Sequence, residues 1–201
     1  MRVNSIIITG PLAVGKSTIA LELSERIGWG NYPVDRLKWF YRFNNGYDLV
    51  AGTRVLKEHG FGALIDYASE FFGPTELKDI FSRFHGIIDL GATDTYCCSP
   101  KRYTELKQIF DALNNVFLLL PSKNSQKSEN ILAKRLKIRY ENHPFKEMVL
   151  QSYLDKNMEF INSFSQYLLA KHIVYLEDKT IDEICSEIIE KVKFQTPIHA
   201  I

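Results

Sequence analysis

Gly10-Pro11-Leu12-Ala13-Val14-Gly15-Lys16-Ser17 places two glycines, a lysine and a hydroxyl in the spacing G-x-x-x-x-G-K-S/T, and Thr18 follows directly. This spacing suits phosphate chemistry. The glycines let the backbone curl until its N–H groups face phosphate oxygens. The lysine reaches the β and γ phosphates of a nucleoside triphosphate, and the serine hydroxyl ligates Mg²⁺. A helix beginning at the motif would add the partial positive charge of its N-terminus. Gly10 to Thr18 is therefore the expected binding site for ATP, with Lys16 as its catalytic cation and Ser17 as a metal ligand.

Other charged residues offer partner chemistry. Asp35 ends an extended stretch and reads either as the group that orients or deprotonates an acceptor hydroxyl, or as a cap for a helix over 36–43. Asp89 closes the apolar run Gly86-Ile87-Ile88. It reads as a Walker-B-type carboxylate holding Mg²⁺, or as a strand-end carboxylate. Arg135 and Arg139 are one helical turn apart and share a face, suited to clamping phosphate oxygens or to lying solvated. The aromatic stretch Trp39, Phe40, Tyr41, Phe43, Tyr47 either walls an acceptor pocket or packs a local core.

These residues need a scaffold, and the pattern supplies strands alternating with helices. Strands are expected at about 5 to 9, 31 to 35, 86 to 91, 116 to 120 and 173 to 176. Helices are expected from the motif to Ile27, over about 53 to 72 with a break near Gly60, from Thr75, from Pro100 to Leu113, over 126 to 139, over 145 to 165, and after Thr180. Ser99-Pro100 is a cap with proline at the first helical position, and Thr180 with Glu183 is a capping box. Five apolar strands separated by helices predict an α/β three-layer fold with a mostly parallel sheet. Ligands in such folds bind at the carboxyl ends of the strands. The glycine-rich loop, Asp35, Asp89 and the loop from Glu177 to Thr180 should share that edge.

At 201 residues the chain is expected to be a single domain. Its 25 basic and 24 acidic residues leave a net charge of +1, which gives no general attraction to nucleic acid or anionic membrane. The three cysteines (Cys97 and Cys98 adjacent, Cys185 apart) show no disulfide spacing and suit a reducing, cytoplasmic location. The N-terminus carries no signal-peptide pattern, and no apolar run is long enough to span a membrane.

The loop with Thr18, the strand ending at Asp35, Ile88-Asp89-Leu90-Gly91, the arginine-bearing helix after Val116 to Leu120, and Leu176-Glu177-Asp178-Lys179-Thr180 together resemble shikimate-kinase-like P-loop kinases over about residues 4 to 193. The resemblance implies a sheet ordered 2-3-1-4-5, MgATP as phosphoryl donor, and a lid over about 135–147 bearing Arg135 and Arg139. It further implies an acceptor region over about 35–85 and an adenine-side loop at Asp178, Lys179 and Thr180. Departures separate the chain from true shikimate kinases. Leu90-Gly91-Ala92 stands where they carry a glycine triplet. Phe61-Gly62 is the nearest match to the Phe-Arg pair that binds the shikimate carboxylate, and their lid Arg-Pro pair is missing. Arg54 and Arg83 are the candidates for supplying that charge.

The expected activity is Mg²⁺-dependent transfer of phosphate from ATP to a hydroxyl of a small molecule. A nucleotide-dependent switch or accessory ATPase is the alternative of a different class, and a nucleotide or polynucleotide-end kinase the alternative within the class.

Overall fold

The computed structural model describes residues 5–95, 99–144 and 146–192. The vicinal pair Cys97 and Cys98 lies outside these residues. At the centre of the sheet is β1 (Ile6–Thr9), followed by the glycine-rich loop and α1 (Lys16–Ile27). Then come β2 (Asn31–Pro33), α2 (Val34–Asn44), α3 (Leu49–Ser69), α4 (Pro74–Arg83), β3 (Ile87–Asp89) and α5 (Pro100–Asp111). The second half holds β4 (Val116–Leu120), α6 (Ser125–Arg139), α7 (Lys146–Asn162), α8 (Phe164–Leu169), β5 (His172–Tyr175) and α9 (Ile181–Lys191).

The five strands are parallel in the order β2-β3-β1-β4-β5, as the resemblance implied. Ile6, Ile7 and Ile8 are fully buried, and the pleat sends them to opposite faces. Ile6 and Ile8 pack with Ile19 and Leu23 of α1 and Ile184 and Ile188 of α9. Ile7 packs with Leu77 and Ile80 of α4 and Leu106 and Phe110 of α5. Burying each isoleucine contributes about 1.5–3 kcal/mol, so both layers are needed to hold a strand whose first three residues are all isoleucine.

Helix ends follow local chemistry. Gly28 closes α1 at φ 73°. The Ser99 hydroxyl accepts from the Arg102 N–H, and Thr180 and Glu183 form the reciprocal capping box of α9. Asn124 caps α6. Gly60, at φ 85° and ψ −177°, breaks α3 where an interruption was expected.

Several boundaries differ from the sequence reading by a few residues: α3 starts at Leu49 where about 53 was expected, and β3 covers only Ile87–Asp89 of the expected 86–91. The second strand ends at Pro33, not Asp35. Val34 already belongs to α2 and is fully buried, so Asp35 sits in the first helical turn, where the helix dipole favours a carboxylate. The single helix expected over 145–165 is divided at Ser163 into α7 and α8. Among the described residues, no helix is long and apolar enough to cross a membrane.

Candidate active site

At the carboxyl end of β1 the loop turns under Gly10. A Cβ at this position would lie 2.6 Å from the Leu119 carbonyl oxygen of β4, so only glycine fits. Ala13 and Gly15 both have positive φ (62° and 114°), which curls the loop. α1 begins at Lys16 with no side-chain cap, leaving its first N–H groups for an anionic guest. The Lys16 ammonium is buried and donates to the carbonyl oxygens of Gly10 and Pro11, each at 2.9 Å. Burial lowers its pKa, and the charges of Asp89, Asp35 and Asp94 oppose that shift.

Asp89 ends β3 beside the loop and is 6% exposed. Burial raises its carboxyl pKa; a hydrogen bond from Ser17 and the Lys16 charge work against the rise. Its Oδ1 is buried without a hydrogen-bond partner. A buried, unpaired carboxylate oxygen beside a serine hydroxyl is a donor set suited to Mg²⁺, which takes oxygen ligands and usually keeps several waters and phosphate oxygens. The residues present therefore fit this ion. No three acidic, histidine or cysteine side chains among the described residues are placed to hold a metal ion together, and Mg²⁺ bound with a nucleotide does not need such a set.

Asp35 reaches the same edge from α2. Its side chain is 71% exposed, and its Oδ1 accepts from Lys38 Nζ at 2.7 Å. Partial desolvation raises its pKa, but the Lys38 charge and hydrogen bond, with Lys16 and Arg42, hold the carboxyl below its ordinary range. Lys38 is buried and also pairs with Asp94 Oδ1 at 2.6 Å. The two carboxylates more than offset the cost of burying the ammonium and raise its pKa. Asp94 Oδ2 accepts the Gly91 N–H at 2.7 Å. A Cβ on Gly91 would stand 2.5 Å from both Asp35 Oδ1 and Lys38 Nζ, so the cluster closes over this glycine.

Arg135 and Arg139 go to different places. Arg135 Nη1 donates to the Val14 carbonyl at 2.8 Å and, at 3.4 Å, to that of Ala13. Arg139 is exposed and lies over the Tyr140 ring, 5.9 Å from its centroid. Asp178 (φ 59°), Lys179 and Thr180 line a hollow of about 610 Å³ together with Lys127, Ile131, Arg135 and Glu177. Lys127 and Glu177 form an ion pair at its rim.

A second cavity, of about 340 Å³, is lined by Leu12, Asp35, Lys38 and Arg42, by Trp39, Tyr47, Phe61 and Tyr153, and by Lys156. The aromatic stretch thus divides. Trp39 and Tyr47 face this cavity; Tyr47 also makes edge contacts with Trp39, Phe43 and Phe71, and Trp39 a tilted contact with Phe43. Phe40 is 67% exposed. Of the arginines considered for the acceptor side, Arg83 pairs with Asp79 and Arg54 lines a separate surface hollow. A hollow of about 400 Å³ between α4 and α5 shares no residue with either cavity.

Four residues were not singled out by the sequence: Lys38, Arg42, Asp94 and Asn157. Only Lys38 carried a signal, being three residues beyond Asp35 on the same helical face. Asn157 of α7 is 3% exposed and grips the loop through both of its amide atoms. Its Oδ1 accepts the Leu12 N–H at 2.7 Å and its Nδ2 donates to the Leu12 carbonyl at 3.0 Å. Asn157→Ala is expected to destabilise the fold by about 1–3 kcal/mol, because both Leu12 backbone groups lose their partner. A thermal melt should fall by about 2–4 °C for each kcal/mol lost. An unchanged melt would show that the amide contributes nothing to holding the loop.

No protein-family model matches the chain, and no curated protein matches it. Solved structures do. A shikimate kinase from Acinetobacter baumannii, in complex with shikimate, superposes with a TM-score of 0.55 at 15% identity, over 94% of this chain and 92% of that one. Shikimate kinase from Bacteroides thetaiotaomicron gives 0.51 at 15% identity, over 92% and 96%. That from Aquifex aeolicus gives 0.51 at 16% identity, over 93% and 95%. The chain has the fold of shikimate-kinase-like P-loop kinases.

Proposed function

We propose that this chain is a single-domain phosphotransferase that moves the γ-phosphoryl group of ATP to a hydroxyl of a small molecule. The observation that carries the reading is the placement of two cavities about one glycine-rich loop. Leu12 of the loop lines the cavity that holds Asp35. On the other side, Arg135 joins the loop carbonyls to the hollow at Asp178 to Thr180. A donor and an acceptor need separate compartments that meet at the transferring phosphate. A switch or accessory ATPase needs only the first.

In this reading the loop N–H groups from Gly10 to Thr18 and the open end of α1 bind the phosphates. Lys16 exchanges its two carbonyl partners for phosphate oxygens. Ser17 and Asp89 hold Mg²⁺, which supplies neutralising charge to the phosphates when bound. Asp178, Lys179 and Thr180 face the nucleobase. Asp35, kept ionised by Lys38, takes the proton that the acceptor hydroxyl loses as its oxygen bonds to phosphorus and the bond to the departing ADP breaks. Arg135 and Arg139 stand at the start of a lid over about 135–147, and Arg135 is already on the loop.

Purified protein incubated with γ-labelled ATP, Mg²⁺ and a broad pool of metabolites should yield a labelled small molecule. Slow release of labelled phosphate alone, whatever pool is offered, would favour the ATPase switch and overturn the transferase reading.

A further inference from the structure

Lys38 is shared by two carboxylates with opposite surroundings. Its buried ammonium lies 2.7 Å from Asp35 Oδ1 and 2.6 Å from Asp94 Oδ1. The Asp35 side chain is 71% exposed and lines the cavity with Lys38. The Asp94 side chain is 2% exposed and is not part of that lining. Both of its oxygens accept, Oδ1 from Lys38 and Oδ2 from the Gly91 N–H at 2.7 Å. Each oxygen thus meets a donor, which suits the ionised carboxylate. The chain is fixed immediately beyond it. Thr95 is fully buried, its hydroxyl donates to Gln166 Oε1 at 2.6 Å, and Gln166 Nε2 of α8 donates to the Thr95 carbonyl at 2.8 Å.

This asymmetry matters when a proton arrives. A protonated Asp35 no longer balances Lys38, and a buried ammonium without a counter-charge is costly. Asp94 keeps that balance. Its charge and that of Asp35 also repel, so the two carboxylates compete for one cation. Asp35 is therefore easier to neutralise beside a Lys38 that Asp94 also holds than beside Lys38 alone. The other groups facing Asp35 do not make this exchange. Arg42 of α2 and Lys16 of α1 are cations that keep it ionised. Asp89 of β3 feels the Asp35 charge, but among the described residues Asp35 and Asp94 are the carboxylates paired with Lys38. Tyr47, and Tyr153 and Lys156 of α7, line the same cavity, and Lys156 is engaged by Asp66 and Glu159.

Resting on the transferase reading, we propose that Asp94 is a positioning residue of this site. It holds the Lys38 charge in place and balanced while Asp35, the exposed partner, takes the proton of the acceptor hydroxyl and then releases it to solvent.

The coupling can be read without turnover. Carboxyl NMR of the full-length protein with isotope-labelled aspartate, free of nucleotide and Mg²⁺, follows Asp35 through its pH midpoint, and Asp35→Asn assigns the signal. In Asp94→Asn the midpoint should move to lower pH, because Lys38 then serves Asp35 alone. Asp94→Glu, which keeps the charge, should leave it near its original position. With an acceptor found in the metabolite pool, Asp94→Asn should also transfer phosphate about tenfold more slowly, part of the roughly hundredfold or more that a general base contributes. The acid limb of its rate profile should shift to lower pH as well, which loss of a merely structural contact would not do. Thermal melts establish which variants are folded, and Asp94→Ser, smaller and neutral, serves if Asp94→Asn is not. A midpoint that stays or rises in the folded neutral variant, an equal displacement in Asp94→Glu, or loss of the fold in both neutral variants would each overturn the proposal. A displaced midpoint in a protein that phosphorylates no acceptor would uphold the sharing of Lys38 and remove the transferase reading. Transfer that needs Asp35 but runs equally fast in Asp94→Asn, with the midpoint unmoved, would do the reverse.

Discussion

Asp35→Asn is expected to slow phosphoryl transfer about a hundred- to ten-thousand-fold, the usual contribution of a positioned general base. Nucleotide affinity should not change. The substitution keeps the size of the side chain and an oxygen to accept from Lys38 Nζ, now 2.7 Å away. What it removes is the ability to take a proton. Steady-state rates with a working acceptor, alongside titration with ADP, separate these effects. An intact transfer rate would show that Asp35 serves α2 as a first-turn carboxylate and not the reaction. A loss of ADP binding would show that it supports the loop instead. The neighbouring ion pair makes this variant more informative than Asp35→Ala, which would also leave Lys38 with Asp94 as its one remaining carboxylate partner.

Lys16→Met is expected to reduce turnover about a thousandfold, the effect of deleting a group aimed at charge that develops in the transition state. The protein itself should remain folded. Lys16 Nζ is buried and its partners are two carbonyl oxygens at one end of the loop. Methionine fills similar volume without the desolvation that lowers the lysine pKa. The melting temperature should therefore hold while the rate collapses, and a parallel thermal melt checks it. Collapse of both would mean that the lysine is a structural strut of the loop. Unlike Asp35→Asn, this variant should fail equally in a kinase and in an ATPase switch, so the pair of variants distinguishes the donor half from the acceptor half.

The glycine-rich loop and its flanking elements were legible in the sequence because their information is local. A P-loop is a short run of backbone whose shape is set by glycine at fixed offsets, and the flanking strand and helix are adjacent to it. The strand at Asp89 was legible for the same reason: an apolar run that stops at a carboxylate. The cavity beside Asp35 is assembled from parts that lie far apart in the chain. Lys38 reads as an ordinary lysine of a surface helix until Asp94 from beyond β3 meets it. Asn157 lies inside α7, and nothing in its neighbourhood announces that Leu12 will dock there. Arg42 is one of several arginines until the fold places it on the cavity that Asp35 and Lys38 also line. Arg135 and Arg139 share a helix face, and periodicity could not tell them apart; their separation arises because one reaches the Val14 carbonyl and the other folds over Tyr140. The misplaced end of the second strand has a smaller cause. Val34 is apolar and β-branched, so it looked like strand, yet its burial is satisfied equally well by the first turn of α2.

β1 is made before the other four strands and takes the middle of the sheet. Ile6 pairs with Ile87 and Ile7 with Val116, so both flanking strands are still to be made when β1 emerges. The loop waits longer, because Leu12 is gripped by Asn157 from the last third of the chain. A nascent chain that has released the glycine-rich motif thus carries three consecutive isoleucines with no partner strand and a phosphate loop without its outer support. Such a species is exposed to aggregation until β3, β4 and α7 have been made. Nucleotide stabilises only a state that can bind it. On the proposed function, a nucleotide held by this loop would therefore stabilise the protein only after α7 has been synthesised and Asn157 is in place.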